Sequence, residues 1–373
     1  MIASRGDSVL LITGGSSLKK SGKYQQLVSG LEERGIEFFQ EGVTDEPSPE
    51  LVDEIAEKYR GESPDLVIAI GGGSVMDAGK AVSAMLPQQE SVMDYLEGVG
   101  RGKEHNGEKV PFIAVPTTSG TGSEATKNAV LSNVGEDGFK KSLRHDNFVP
   151  DVALLDPLLT VSCPENITAA SGLDALSQLL GAYLSTEASP FTDSLIVKAL
   201  SYFGKSFLPA CQEKAADPEV RSGLAYGSLI SGIVLANAGL GIVHGLASPI
   251  GGFHQIPHGV VCGALLEEAV RVNIEQLNKN REEKLAYLRK YALAGILLTE
   301  GFSKPLAEKE IDFYCDQLLK QIRDWKEEIT LPGLGDYGID RGDFAKIIEK
   351  ASLKNNPVQL SEKQIEEILQ KSL

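Results

Sequence analysis

Two patterns of apolar residues divide the chain. As far as residue 157, short apolar runs alternate with amphipathic segments. Val9–Thr13, Ile36–Phe39, Asp65–Ile70, Val110–Val115 and Val152–Leu155 read as strands, mostly apolar on both faces. Between them, Lys23–Arg34 carries Leu27 and Leu31 one helical turn apart. Pro49–Tyr59 sets Leu51, Ile55 and Tyr59 on one face, and Ser74–Met85 follows the third strand directly. Strands separated by helices at this spacing predict a parallel sheet covered on both faces. After Pro157 long periodic segments take over. Residues 164–185, 191–211, 220–238, 259–277, 282–296 and 304–327 all predict helices. The pattern therefore predicts an α/β domain over residues 1–157 and an all-helical domain over residues 158–373.

Composition adds exclusions. A length of 373 residues suits about two domains. A net charge of −16 speaks against non-specific nucleic-acid binding and against an anionic membrane surface. No apolar stretch approaches the roughly 18 residues of a membrane span, and Val9–Ile12 is too short for a secretion signal. Cys163, Cys211, Cys262 and Cys315 are widely spaced, so neither a disulfide framework nor a structural zinc site is expected. A cytoplasmic location is the expectation.

Three short segments carry chemistry. Gly71, Gly72, Gly73 and Ser74 follow a strand and open a helix. Such a turn brings backbone N–H groups and the positive end of a helix to a phosphate. Pro116–Glu124 follows the next strand and is dense in hydroxyls and glycine, with Thr117, Thr118 and Thr121 available as donors. Two such loops at the carboxyl ends of neighbouring parallel strands predict one extended nucleotide ligand. The third segment is His244–His258, which holds three of the chain's five histidines. Upstream, Asp174 and Gln178 share a helical face at i and i+4. Asp174, His244 and His258 form a two-His-one-carboxylate set able to hold Fe(II) or Zn(II). Gln178 could add a weak amide-oxygen ligand, or orient water or substrate.

These motifs, in this order and spacing, resemble those of the iron-containing (group III) alcohol dehydrogenases. They are Gly-Gly-Gly-Ser-x-x-Asp-x-x-Lys at 71–80, Pro-Thr-Thr-x-Gly-Thr-Gly-Ser-Glu at 116–124, Gly-x-Asp-Ala at 172–175, and the histidines at 244 and 258. The resemblance runs from about residue 9 to about residue 270. It implies a Rossmann-like α/β domain followed by an all-α metal-binding domain, the architecture shared with dehydroquinate synthase. It implies hydride transfer between NAD(P) and a small alcohol or aldehyde, with a homodimer as the assembly. Asp77 would lie near the nicotinamide, Lys140 near its ribose, and Asp174, position 178, His244 and His258 would ligate the metal. Two departures stand out: Gln178 and Ser248 occupy positions where relatives carry His.

The first strand's turn bears on the cofactor. NAD-preferring relatives often place Asp at the position of Gly14, and no acid lies between Leu10 and Leu31. Gly14, Gly15, Ser16, Ser17 and Lys19 offer N–H groups, hydroxyls and a cation, which suit a 2′-phosphate and predict NADP(H) over NAD(H). Gln178 and Ser248 also favour a rival, a metal-independent reductase of the maleylacetate-reductase type. Another rival is a nucleotide-binding module without catalysis. Ala247, Ile250 and Phe253 would suit a small aliphatic or aromatic substrate, and equally suit helix packing.

Overall fold

The computed structural model describes residues 6–373 except Ser16, Ser21 and residues 302–304; the side chains of Ser17 and Lys20 also lie outside the description. The chain forms two compact units. One comprises residues up to Thr118 with Ser123–Asn133 and Gly138–Cys163. The other comprises Ser119–Gly122, Val134–Asp137 and Pro164–Leu373.

The first unit is an α/β layer structure. Strands β1 (Ser8–Thr13), β2 (Glu37–Gly42), β3 (Leu66–Gly71), β4 (Phe112–Pro116) and β7 (Val152–Ala153) form one parallel sheet in the order β2-β1-β3-β4-β7. The helices of this unit are α1 (Ser17–Lys20), α2 (Lys23–Glu32), α3 (Pro49–Arg60) and α4 (Gly73–Met85). Strands β1, β3 and β4 are buried almost throughout, as their unbroken apolar runs require. From β1 the chain adds β2 on one side and then crosses to β3 on the other. The switch point of the sheet thus lies between β1 and β3, where ligands of doubly wound sheets bind at the carboxyl ends. An antiparallel pair, β5 (Asn128–Asn133) and β6 (Phe139–Arg144), joins this unit. The apolar pattern does not predict it, because β6 reads Phe-Lys-Lys-Ser-Leu-Arg and buries only Leu143.

The second unit is helical: α5 (Glu165–Tyr183), α6 (Pro190–Cys211), α7 (Pro218–Ala238), α8 (Ile242–Phe253), α9 (His258–Asn278), α10 (Arg281–Thr299), α11 (Ile311–Glu328), α12 (Phe344–Lys350) and α13 (Glu362–Lys371). Ser189 begins α6 with a capping box to Thr192, and Pro190 fills the first turn, so the helix starts just ahead of its apolar pattern. Among the described residues no single helix is long and apolar enough to cross a membrane.

Four residues of the hydroxyl-rich loop, Ser119–Gly122, pack within the helical unit. Gly122 adopts φ +61°, and a Cβ on Gly232 of α7 would lie 2.1 Å from the Gly122 carbonyl oxygen. Both positions therefore need glycine, one for its dihedral and one for the approach. Gly232→Ala should lower stability by about 1–3 kcal/mol, read as a lower Tm. Gly30→Ala should not, since a Cβ there meets only the Arg34 guanidinium at 3.7 Å. Equal melting of the two variants would contradict the close approach.

Candidate active site

The α/β unit gathers the expected phosphate-binding residues on one edge. Gly72 precedes α4 in extended conformation, and no side chain caps the helix or places an acid in its first turn. The first N–H groups of α4 are thus left for a ligand, at the end of β3. Gly71 cannot carry a side chain, since a Cβ would fall 2.6 Å from that of Val75. Gly72 is likewise covered, with Thr118 side-chain atoms 3.4 Å from where its Cβ would be. The Thr117 N–H bonds the Gly71 carbonyl at 2.8 Å, so Gly71, Gly72, Gly73, Ser74, Thr117 and Thr118 gather on one edge. Gly14 joins them from the other side of the switch point: its N–H reaches the Ile70 carbonyl at 3.4 Å, and a Cβ there would sit 3.6 Å from Val75. Gly15 and Lys19 are exposed, and Lys19 Nζ stands 5.4 Å from the centre of the Tyr24 ring. Ser16 and the Ser17 side chain lie outside the described residues. Thr121 falls in the loop segment that packs with the helical unit.

An acid that the sequence reading does not weigh stands beside this turn. The register pairs Ile12 with Glu41 and Thr13 with Gly42, so Glu41 stands one residue before the end of β2, alongside the end of β1. Its carboxylate accepts Lys58 Nζ at 2.5 Å and the Tyr59 hydroxyl at 2.7 Å. Burial raises the Glu41 pKa, but these two partners outweigh it and hold the group below its usual value.

Behind the glycine loop lies a buried charged knot. Lys80 of α4 is 2% exposed, and its ammonium meets the carbonyls of Ser123, Thr126 and Asn128 and the hydroxyls of Ser123 and Thr126, all within 3.1 Å. Asp77, one turn earlier, accepts the Ser123 hydroxyl at 2.6 Å. Burial pushes Lys80 down to about 8 and pushes Asp77 up, against the opposing pull each exerts on the other. Lys140 of β6 is close enough to lower the Asp77 pKa and forms a short ion pair with Glu46, whereas the adjacent Lys141 is exposed.

The helical unit brings the predicted metal donors together. Asp174 comes from the middle of α5, His244 from α8 and His258 from the first turn of α9. His244 Nε2 lies 3.1 Å and His258 Nε2 3.7 Å from Asp174 Oδ1. Burial raises the Asp174 pKa, but the charge of His258 and hydrogen bonds from His244 and Gln178 hold it well below the usual carboxylate range. Gln178 is buried beside this carboxylate and hydrogen-bonds to it, while its amide oxygen accepts the Ser231 hydroxyl at 2.9 Å. A residue absent from the expected set, Cys262, completes the group: its Sγ stands 3.6 Å from both His244 Nε2 and His258 Nε2. The four donor atoms all lie within 4.8 Å of one another. Two imidazoles, a carboxylate and a thiol so arranged fit a divalent cation, and a carboxylate only 1% exposed is costly to bury without one.

His254 ends α8 and pairs with Asp343 at 3.4 Å, apart from this set. Ala247 and Ile250 are fully buried in the helical core, so they pack rather than line an open site. The Phe253 ring lies under Lys346, 5.1 Å from its Nζ.

Sequence and fold match known proteins over nearly the whole chain. A family model described as iron-containing alcohol dehydrogenase matches residues 1–157, and its C-terminal counterpart matches residues 168–373. The NADPH-dependent butanol dehydrogenase of Clostridium saccharobutylicum is 30% identical, over 98% of this chain and 92% of its own. The long-chain-alcohol dehydrogenase 1 of Geobacillus thermodenitrificans is 33% identical, over 97% and 89% respectively. The crystal structure of a 1,3-propanediol oxidoreductase superposes with a TM-score of 0.86 at 30% identity, covering 99% of this chain and 92% of that one. The chain belongs to the iron-containing alcohol dehydrogenase family. Membership implies NAD(P) and a divalent metal.

Proposed function

We propose that this chain interconverts small alcohols and their aldehydes or ketones by hydride transfer with NADP(H), assisted by a divalent metal held by Asp174, His244 and His258. The observation that carries the reading is the convergence of these three side chains from three helices on one buried point. A metal bound there supplies Lewis acidity, lowering the pKa of an alcohol or polarising a carbonyl. Asp174 contributes the negative charge that anchors a cation. Gln178, bonded to Asp174 and to Ser231, fixes the orientation of that carboxylate. Gly71–Ser74 with Thr117 and Thr118 would hold the pyrophosphate, and Asp77 and Lys140 would stand near the nicotinamide end.

The preference for NADP(H) is supported by the Gly14–Lys19 turn, which offers backbone donors and Lys19 without an acid. Glu41, the nearby acid, is already engaged by Lys58 and Tyr59. Gly14→Asp tests it cleanly, because a Cβ at Gly14 makes only ordinary contact with Val75. A carboxylate placed against a 2′-phosphate costs several kcal/mol, so kcat/KM with NADPH should fall roughly 100-fold while that with NADH holds or rises. A wild-type preference for NADH would overturn the assignment.

The broader reading is tested by stripping the protein with a chelator and restoring it with Fe(II) or Zn(II) under a panel of aldehydes. Activity should vanish and return. Undiminished activity in the metal-free protein would favour the metal-independent reductase instead.

A further inference from the structure

We infer that Cys262 is a metal ligand in this protein beside Asp174, His244 and His258, giving a two-His, one-carboxylate, one-thiolate site suited to Zn(II). This rests on the reading that Asp174, His244 and His258 bind a metal.

Three observations carry it. First, the four donors lie within 4.8 Å of one another, and their closest separations fall within about 0.4 Å of the edges of a tetrahedron around one ion. With metal–nitrogen and metal–oxygen bonds of about 2.0–2.1 Å and a metal–sulfur bond of about 2.3 Å, adjacent N and O donors should stand about 3.3–3.4 Å apart and S and N about 3.5–3.6 Å. His244 and His258 lie 3.1 Å and 3.7 Å from Asp174 Oδ1, and Cys262 Sγ lies 3.6 Å from each imidazole. Second, Cys262 is fixed in that place. It is 0% exposed and stands one turn after His258 on α9, so the two side chains share a face.

Third, Gln178 is already committed. Its amide N–H group faces the Asp174 carboxylate and its oxygen accepts from Ser231, so presenting the oxygen to a metal would require the amide to turn over and give up both contacts. The amide is therefore a support for Asp174 and not a donor.

A thiolate ligand changes the metal. It is a soft, anionic donor that favours Zn(II) over the harder Fe(II) of an all-nitrogen-and-oxygen set. On binding, the Cys262 S–H bond gives up its proton to solvent as the metal–sulfur bond forms, so one extra proton is released per site.

The test uses the whole 373-residue chain. Metal-free enzyme is loaded with one equivalent of Co(II), then separately with Zn(II), in the wild type, Cys262→Ser and Asp174→Asn. The wild type should show a near-ultraviolet sulfur-to-cobalt charge-transfer band. Its zinc absorption-edge fine structure should require one sulfur at about 2.3 Å. Cys262→Ser should lose the band and bind Zn(II) at least tenfold more weakly. A first shell of nitrogen and oxygen only in the wild type would overturn the inference. That result would leave the broader reading intact, provided that Asp174→Asn still abolishes binding. If the wild type binds neither metal, the broader reading fails, and this one with it. The wild-type spectra decide the matter even if Cys262→Ser does not fold.

Discussion

Asp174→Asn should leave a folded protein that binds NAD(P)(H) normally and turns over alcohol at least about a thousandfold more slowly. The substitution keeps the shape of the side chain and one hydrogen-bonding oxygen. It removes the only carboxylate among the donors at a point where the group is 1% exposed. The Lewis acidity of a bound metal is worth several kcal/mol of transition-state stabilisation, and each 1.36 kcal/mol is tenfold in rate. Metal content of the purified variant should fall in step with activity. Cofactor affinity should stay close to wild type, because the glycines proposed to hold the cofactor belong to the other unit. A variant retaining full metal content and activity within about threefold of wild type would remove Asp174 from the site.

Lys80→Met should cost about 3–5 kcal/mol of stability, the scale of breaking a buried, hydrogen-bonded charge network. The loss arises because the carbonyls of Ser123, Thr126 and Asn128 would be left without their cation, while Asp77 and Glu124 stay buried beside the gap. The effect should appear as a lower urea midpoint. It also carries a pH signature. The folded-state pKa of Lys80, about 8, lies below its ordinary 10.5, so the unfolded chain binds the proton more readily between those values. Wild-type stability should therefore gain on that of Lys80→Met as pH rises from 8 toward 10. An unfolding free energy within about 0.5 kcal/mol of wild type would show that the acceptors find other partners.

The strands β1, β3 and β4 and the long helices were readable because each buries a continuous apolar run or stripe. Helix α8 was not, although it carries His244. Gly245, Pro249, Gly251 and Gly252 interrupt any helical signal, and tertiary burial on nearly every side overrides that propensity. The β5–β6 pair was hidden for the opposite reason, since its strands are polar and are held by pairing rather than by an apolar face. Cys262 carries no Cys-x-x-Cys partner, so cysteine spacing alone does not mark it. The usable signal is its i+4 spacing from His258, which the helix predicted over 259–277 already places on the same face. Glu41 became visible only through the register of β1 with β2, a relation across some thirty residues that periodicity does not report.

The intrusion of Ser119–Gly122 into the helical unit has a consequence for biosynthesis. Ser231 reaches the Gly120 carbonyl across 111 residues of chain. At about 5–20 residues per second, that loop leaves the ribosome on the order of 5–20 s before α7 exists to receive it. Through that interval the nascent α/β unit holds a strand-to-hairpin connection with nothing to close it. Expressing residues 1–157 alone would make the wait permanent.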